Sequence, residues 1–149
     1  MPQVEVPSSP MPKTPRARRE AASWFAVVNA YEECDQRFAE MLSYFDLTVS
    51  QFDALVAVDA LGKDALPKAV AERLLVTRAN VTGLLRRLES RSLLRLRPHR
   101  TDGRSLICRI TPRGRELLAL ANAASGRFVR AQLAPFSDAE LDVIQGLMR

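Results

Sequence analysis

The order of elements within residues 66–115 constrains the fold more than any other feature of the sequence. Pro67 stands where a first helical residue is expected, and it predicts a short helix of about 67–74. After a brief turn, Thr77 predicts the cap of a second helix that runs to about Ser90, with apolar residues at helical spacing. Two helices joined by so short a turn predict a helix-turn-helix.

A hairpin follows the second helix directly. Residues 94–97 and 105–110 alternate between apolar and polar side chains, as half-buried strands do. The segment 98–104 between them contains Asp102-Gly103, a dipeptide common in hairpin turns. A ribbon with a basic tip after a helix-turn-helix is a wing. We therefore expect a fold that is mainly α with a small β-hairpin, a winged helix-turn-helix over about 47–111.

The positive charge of the chain is concentrated in the same region. Residues 73–115 contain twelve Arg, no Lys and two acids, and so carry a formal charge of +10, whereas the whole chain carries +5. Residues 20–72 carry −7, with ten acids and three bases. Such a concentrated charge requires a polyanionic partner or an acidic neighbour to offset its self-repulsion. We expect double-stranded DNA, with the acidic part of the chain turned away from it.

The outer face of the second helix is suited to close contact with another surface. Ala79 and Gly83 lie on this otherwise polar face, opposite the side that carries Val81 and Leu85. A glycine inside a helix costs about 1 kcal/mol relative to alanine, so it requires a reason. A merely solvated face would favour Lys, Glu and Gln. We interpret this helix as a recognition helix.

Long amphipathic segments flank this module on both sides. We predict one helix over about 20–45, whose apolar stripe needs an opposing surface, and two helices within 112–149. Residues 1–19 hold five of the nine prolines and four bases, and predict a disordered basic arm that is either a solvated tail or a further DNA contact. We expect a single domain over 20–149, with N- and C-terminal dimerisation helices.

Composition disfavours several classes of protein. No apolar run approaches the roughly 18 residues needed to cross a membrane, and no secretion signal is recognisable. Cys34, Cys108 and the single histidine, His99, are too few for a disulfide framework, a zinc site or a Ser/His catalytic pair. We expect a cytoplasmic protein that is not an enzyme and uses no metal or cofactor.

Three segments of the chain fit one family pattern. From Asp102 to Gly114 the sequence is D-G-R-S-L-I-C-R-I-T-P-R-G, which fits Asp, any residue, Arg, an alternating strand, then Thr, two residues and Gly. The segments L-T-V-S-Q-F-D-A-L and V-T-R-A-N-V-T-G-L-L-R-R-L-E also fit. Over about residues 24–149 the chain resembles the MarR (multiple-antibiotic-resistance regulator) family of winged helix-turn-helix transcriptional regulators. The resemblance implies a homodimer that binds a pseudo-palindromic operator.

The resemblance also implies roles for individual residues. The residues it places in or beside the major groove are Thr77, Arg78, Ala79, Asn80, Thr82 and Arg86. Arg100 and Arg104 become wing residues, and Asp102 becomes the residue that orients the wing tip. Ser92 departs from the family, which has glycine between the recognition helix and the strand. Because Ser tolerates a positive φ poorly, we expect a reshaped turn or a helix that ends one residue differently.

The sequence leaves three functional hypotheses open. The first is a sequence-specific homodimeric repressor released by a small aromatic or phenolic effector, whose binding residues the sequence does not reveal. The second is a non-specific architectural DNA-binding protein without a ligand. The third is a redox-responsive regulator that acts through Cys34. Core positions are favoured for Cys34 and Cys108, and an exposed position for His99.

Overall fold

The computed structural model describes residues 14–98 and 106–148, except the side chain of Asp64. Contacts divide the chain into two compact units, Met1–Arg37 and Phe38–Arg149, so most of the first helix belongs to the first unit. In chain order the elements are α1 (Pro15–Ser43), α2 (Val49–Leu61), a 3-10 turn (Gly62–Asp64), α3 (Pro67–Leu74), α4 (Arg78–Ser90), β1 (Leu94–Pro98), β2 (Leu106–Ile110), α5 (Pro112–Leu133) and α6 (Asp138–Leu147).

Side-chain caps fix where most of these helices begin. At α2, the Thr48 hydroxyl accepts a hydrogen bond from the Gln51 amide, and the Gln51 side chain accepts one from the Thr48 amide. The same reciprocal capping box opens α6 between Ser137 and Glu140. Each cap satisfies donors that the first helical turn leaves open. The predicted starts of α3 at Pro67 and of α4 after Thr77 are confirmed.

The start of α1 differs from the predicted one, because residues 15–19 are helical and do not belong to the arm. Pro15 occupies the first turn, where its missing N–H removes no helical hydrogen bond. The Thr14 hydroxyl accepts from the Ala17 amide at 3.2 Å, and Arg16 pairs with Glu20 at 2.7 Å. The prediction treated Pro15 as a helix breaker, although proline is favourable at a helix start. Residues 1–13 of the predicted arm lie outside the described residues.

The hydrophobic core of the second unit lies among α2, α3, α4, α5 and the hairpin. The larger side chains that are fully buried there include Leu55, Val70, Val81, Leu85, Leu88, Leu94 and Cys108. Phe38, at the end of α1, adds aromatic contacts, with its ring centroid 5.9 Å from that of Phe52 and 5.4 Å from that of Phe128. This core supports the helix-turn-helix from behind.

The hairpin is attached to the helix-turn-helix by backbone hydrogen bonds. β1 and β2 are antiparallel, with Leu96 opposite Cys108. The Cys108 amide donates to the carbonyl of Ala65 at 2.7 Å, which ties the outer edge of β2 to the segment before α3. The fold is therefore mainly helical with a small two-stranded hairpin, as predicted for a winged helix-turn-helix.

Large apolar side chains remain exposed on the terminal helices. In the first unit, Trp24, Phe25, Val27 and Tyr31 are exposed on α1. In the second unit, Val143, Ile144, Leu147 and Met148 are exposed at the C-terminal end. Within the part of the chain that the structure describes, no helix is both long and apolar enough to cross a membrane.

Candidate nucleic-acid interface

The N-terminal turn of α4 presents polar side chains on a fixed backbone. The Thr77 hydroxyl accepts a hydrogen bond from the Asn80 amide at 3.3 Å and so caps the helix. Arg78, Ala79 and Asn80 are exposed, and among the described residues the Asn80 side-chain amide has no hydrogen-bond partner. The Thr82 hydroxyl donates to the Arg78 carbonyl at 2.8 Å and leaves its lone pairs available. The sequence-predicted residues of this turn therefore lie together on one end of the helix.

Gly83 continues this face, and the protein's own packing does not require a glycine there. A Cβ atom added to Gly83 would have the Nη2 atom of Arg87 as its nearest neighbour, at 3.9 Å. Alanine would therefore fit and would stabilise the helix by about 1 kcal/mol. On the opposite side, Val81, Leu85 and Leu88 are completely buried and hold the helix in place. The small residue on the outer face remains consistent with close approach of another surface.

The arginines of the basic stretch divide into two groups. Arg91 donates to the Asp46 carboxylate at 2.8 Å and to the Gln51 side chain at 3.1 Å, Arg109 donates to the Gly62 carbonyl at 3.0 Å, and Arg115 lies 3.9 Å from Asp59. These three stabilise the fold. A second group is exposed and makes no ion pair with any described residue, and it comprises Arg73, Arg78, Arg86, Arg87, Arg95, Arg97 and Arg113. Most of the arginines without an ion pair thus lie on α4 and β1, with Arg73 on α3 and Arg113 on α5 in addition.

The hairpin extends this charged surface beyond α4. Arg95 and Arg97 are exposed on β1, whereas Leu94 and Cys108 face the core. The Glu89 carboxylate, at the end of α4, accepts a hydrogen bond from the Leu96 amide at 2.8 Å and fixes the strand to α4. Sequence reasoning counted Glu89 only as a charge. The available signal for this structural role was that Glu89 is one of only two acids in a basic stretch and lies where the helix meets the strand.

The predicted wing-tip residues Arg100, Asp102 and Arg104, together with His99, lie outside the described residues. Their assignment to DNA contact and to orientation of the tip stays a prediction. In the described ranges, no group of three or more His, Cys, Asp or Glu residues is placed to hold a metal ion.

Comparison with known proteins shows which family this part of the chain resembles. Residues 45–105 match the model of the MarR family, which covers α2, α3, α4 and β1. Over these residues the chain is therefore similar to proteins of the MarR family. Members of this family are transcriptional regulators and not enzymes. No curated protein matches the chain.

Several solved structures match the chain over most of its length and over most of their own. A probable transcriptional regulator from Pseudomonas aeruginosa is 27% identical, with a TM-score of 0.69 over 82% of this chain and 93% of that one. Bordetella bronchiseptica BpsR, whose DNA binding is regulated by 6-hydroxynicotinic acid, is 25% identical, with a TM-score of 0.74 over 84% and 89%. The transcriptional repressor CouR, bound to a 23-mer DNA duplex, is 25% identical, with a TM-score of 0.75 over 83% and 87%.

The Thr-x-x-Gly part of the MarR pattern has a structural cause in this chain. The Thr111 amide donates to the Leu93 carbonyl at 3.1 Å, and the Thr111 hydroxyl donates to the Ser92 carbonyl at 2.8 Å. The same hydroxyl accepts from the Gly114 amide at 3.0 Å. A Cβ on Gly114 would lie only 1.9 Å from the Leu93 carbonyl oxygen, so only glycine allows this approach. The junction joins the wing to α5.

Two residues other than glycine, one in the turn before α4 and one in the turn after it, have left-handed backbones. Ser92 has a φ of +59°, so the turn after α4 is not reshaped, contrary to our expectation, and Ser adopts the strained conformation itself. Leu75, in the turn between α3 and α4, has φ +55° and ψ +37°. Its amide donates to the Ala71 and Glu72 carbonyls and closes α3. This conformation costs a residue other than glycine about 1–2 kcal/mol.

The two cysteines differ in their surroundings. Cys108 is completely buried, as predicted, and its pKa rises from 9.0 to about 11 because burial disfavours the thiolate and the nearby Glu89 charge adds to this effect. Cys108 is therefore a protonated thiol at neutral pH. Cys34 is exposed, so the prediction of a core position for it is wrong for the single chain. The apolar stripe of α1 was predicted from spacing alone, which does not reveal what covers it.

A cavity of about 320 Å³ adjoins the inner edge of α4. Its walls are formed by residues of α2, α3, α4 and the turn between α3 and α4, namely Ser50, Asp53, Leu74, Val76, Asn80, Val81, Leu84 and Arg87. Asn80 thus borders both the exposed face of α4 and this cavity. A molecule in the cavity would lie beside the N-terminal turn that we predict to enter the major groove.

Proposed function

We propose that this chain is a transcriptional regulator of the MarR type, a sequence-specific homodimeric repressor that leaves its operator when a small aromatic or phenolic effector binds. The main observation in support is the group of exposed polar side chains at the start of α4, whose arginine makes no ion pair with any described residue. As a regulator of transcription it acts in the cytoplasm. Its partners are a pseudo-palindromic DNA duplex, a second copy of the chain and the effector. A membrane is not among them.

In this proposal Asn80 reads bases and the arginines hold phosphates. An unpartnered carboxamide presents a donor and an acceptor together, which matches the N6 and N7 atoms of adenine in the major groove. Arg78 and Arg86, on the same helix face, bind phosphates or guanine, and Thr77, Ala79 and Thr82 allow close approach. Arg100 and Arg104 extend the contact from the wing, with Asp102 holding the tip.

The homodimer is supported by apolar surface that the single chain leaves in water. About two-thirds of the Trp24 surface is exposed on α1, at 67%, and Leu147 on α6 is exposed at 78%. Exposed apolar side chains of this size are typical of interaction surfaces. A two-fold dimer would present two α4 helices to half-sites centred about one DNA turn, or roughly 34 Å, apart.

The cavity beside Asn80 is our candidate for the effector site. Its volume lies at the lower end of the range of small-molecule sites, and it combines apolar walls with the amide of Asn80 and the guanidinium of Arg87. The regulation of BpsR by 6-hydroxynicotinic acid supports a small aromatic acid as the class. An effector that binds there only in the DNA-free state lowers DNA affinity by shifting the population.

Two substitutions test the assignment of roles on α4. Asn80→Ala should change the base preferred at one position of each half-site, because it removes a base contact and no charge. Arg86→Ala should weaken binding to all duplexes and reduce the slope of log affinity against log salt by about one, because it removes a phosphate contact. Arg115→Ala removes an equal charge that lies beside Asp59, and serves as the matched control with unchanged DNA binding. An Asn80→Ala variant with unaltered preference would remove Asn80 from base reading.

The redox hypothesis keeps one supporting observation, the exposure of Cys34. Reactive cysteines usually lie in electropositive surroundings, whereas Glu33 and Asp35 are the sequence neighbours of Cys34. Treatment of the DNA complex with peroxide distinguishes the hypotheses. Release of DNA by the native protein, but not by Cys34→Ser, would favour redox control over an effector.

A further inference from the structure

Leu75 combines an unfavourable backbone with an unfavourable side-chain position. Its backbone is left-handed, and 93% of its surface is exposed, more than for any other large apolar residue described. The other described non-glycine residues with positive φ are Asp46, whose residue type adopts this conformation more readily, and Ser92, whose side chain is small and polar. Glycine is the relaxed residue at such a helix end. Packing within the described chain gives no reason for leucine at this position.

Leu75 lies at the edge of the candidate interface. It precedes the cap residue Thr77 by two positions, so their Cα atoms are at most about 7.6 Å apart. The turn of α4 that follows carries the exposed Arg78 and Asn80. Leu75 also lies outside α1 and α6, whose exposed apolar residues we assign to the dimer. Its side chain is therefore available to whatever α4 contacts.

We infer that Leu75 packs against a thymine methyl group in the major groove, next to the base that Asn80 reads, and so helps to determine operator sequence. The inference rests on the proposed function. The thymine 5-methyl is the apolar group that base pairs present in this groove. Contact between it and Leu75 removes apolar surface of both from water. Strained residues that the fold itself does not need are characteristic of functional sites.

The Leu75→Gly variant separates this role from a structural one. Glycine relieves the left-handed strain and loses little packing, so the unfolding midpoint should rise by about 2–4 °C. Affinity for the wild-type operator, obtained by selection from random duplexes, should fall about tenfold. Ser92→Gly is the matched control, because it relieves the same strain at the other end of α4. It should raise the midpoint in the same way and leave DNA affinity unchanged.

Replacement of thymines by uracil, one at a time, identifies the group that is contacted. At one position in each half-site, loss of the methyl should weaken wild-type binding several-fold and leave Leu75→Gly binding unchanged. Equal affinity of wild type and Leu75→Gly for the selected duplex would overturn the inference, as would the lack of any uracil position that distinguishes them. A wild-type protein that selects no sequence would overturn the proposed function, and this inference with it.

Discussion

Substitution of Gly114 by alanine gives the most direct test of the junction between the wing and α5. The added Cβ would lie 1.9 Å from the Leu93 carbonyl oxygen, 2.8 Å from the Leu93 carbonyl carbon and 3.0 Å from Cγ1 of Ile110. Two of these are backbone atoms, so a side-chain rotation cannot relieve the clash. Normal contact requires that α5 and the Leu93 carbonyl separate by about 1.5 Å.

The separation has a calculable cost. It breaks the hydrogen bonds that the Thr111 amide and hydroxyl donate to the Leu93 and Ser92 carbonyls, each with a net value of about 1 kcal/mol. Displacement of packed neighbours adds about 1–2 kcal/mol. Against this cost, alanine stabilises the helix by about 1 kcal/mol relative to glycine through its higher helix propensity. The free energy of unfolding should therefore fall by about 2–3 kcal/mol, within the range of overpacked sites.

Urea unfolding followed by circular dichroism measures this change. Protein concentrations must be equal, because the midpoint of the proposed dimer would depend on concentration. Gly83→Ala is the matched control, since its Cβ meets only the end of the Arg87 side chain, at 3.9 Å. It should gain up to about 1 kcal/mol. A Gly114→Ala protein as stable as the wild type would refute the close approach and the explanation of the Thr-x-x-Gly pattern.

Two further predictions concern Asp46 and Cys108. Asp46→Asn should change stability by less than about 0.5 kcal/mol, since Asn tolerates the φ of +54° and the Asp46 side chain that pairs with Arg91 is 93% exposed. Asp46→Ala should cost about 1–2 kcal/mol in a urea titration. A thiol reagent at about pH 8 should modify Cys34 quickly and Cys108 only after unfolding, because the pKa of Cys108 is raised to about 11. Since its folded pKa exceeds the unfolded value of 9.0, Cys108 should also make stability fall as pH rises from about 9 to 11, and Cys108→Ala should lose that dependence.

The local signals in the sequence were sufficient for most element boundaries. Thr77 caps the helix that the sequence assigned to it, and Thr48, Thr111 and Ser137 cap α2, α5 and α6 in the same way. Such caps can be found in a sequence because a cap is a short-range interaction within four residues. The same logic would have placed the start of α1 at Thr14-Pro15. It was not applied there because the prolines before Pro15 favoured an arm.

Interactions between distant residues could not be predicted from the sequence. Nothing in the spacing indicates that Arg91 pairs with Asp46, 45 residues away, or that Glu89 binds the Leu96 amide. The sequence also did not indicate the left-handed backbones of Leu75 and Ser92, since neither residue is glycine. For the candidate site, the sequence identified the α4 residues but could not separate the arginines that stabilise the fold from those that remain exposed.

The central claim is that α4 reads DNA sequence as one half of a two-fold dimer. Selection of duplexes from a random pool by the full chain, at a fixed salt concentration near physiological, tests this claim directly. The account predicts enrichment of a pseudo-palindrome with half-site centres about ten base pairs apart. The enriched duplex should bind about a thousandfold or more tightly than random DNA. A pool that remains random, with equal affinity for all duplexes, would contradict the account and favour a non-specific architectural protein.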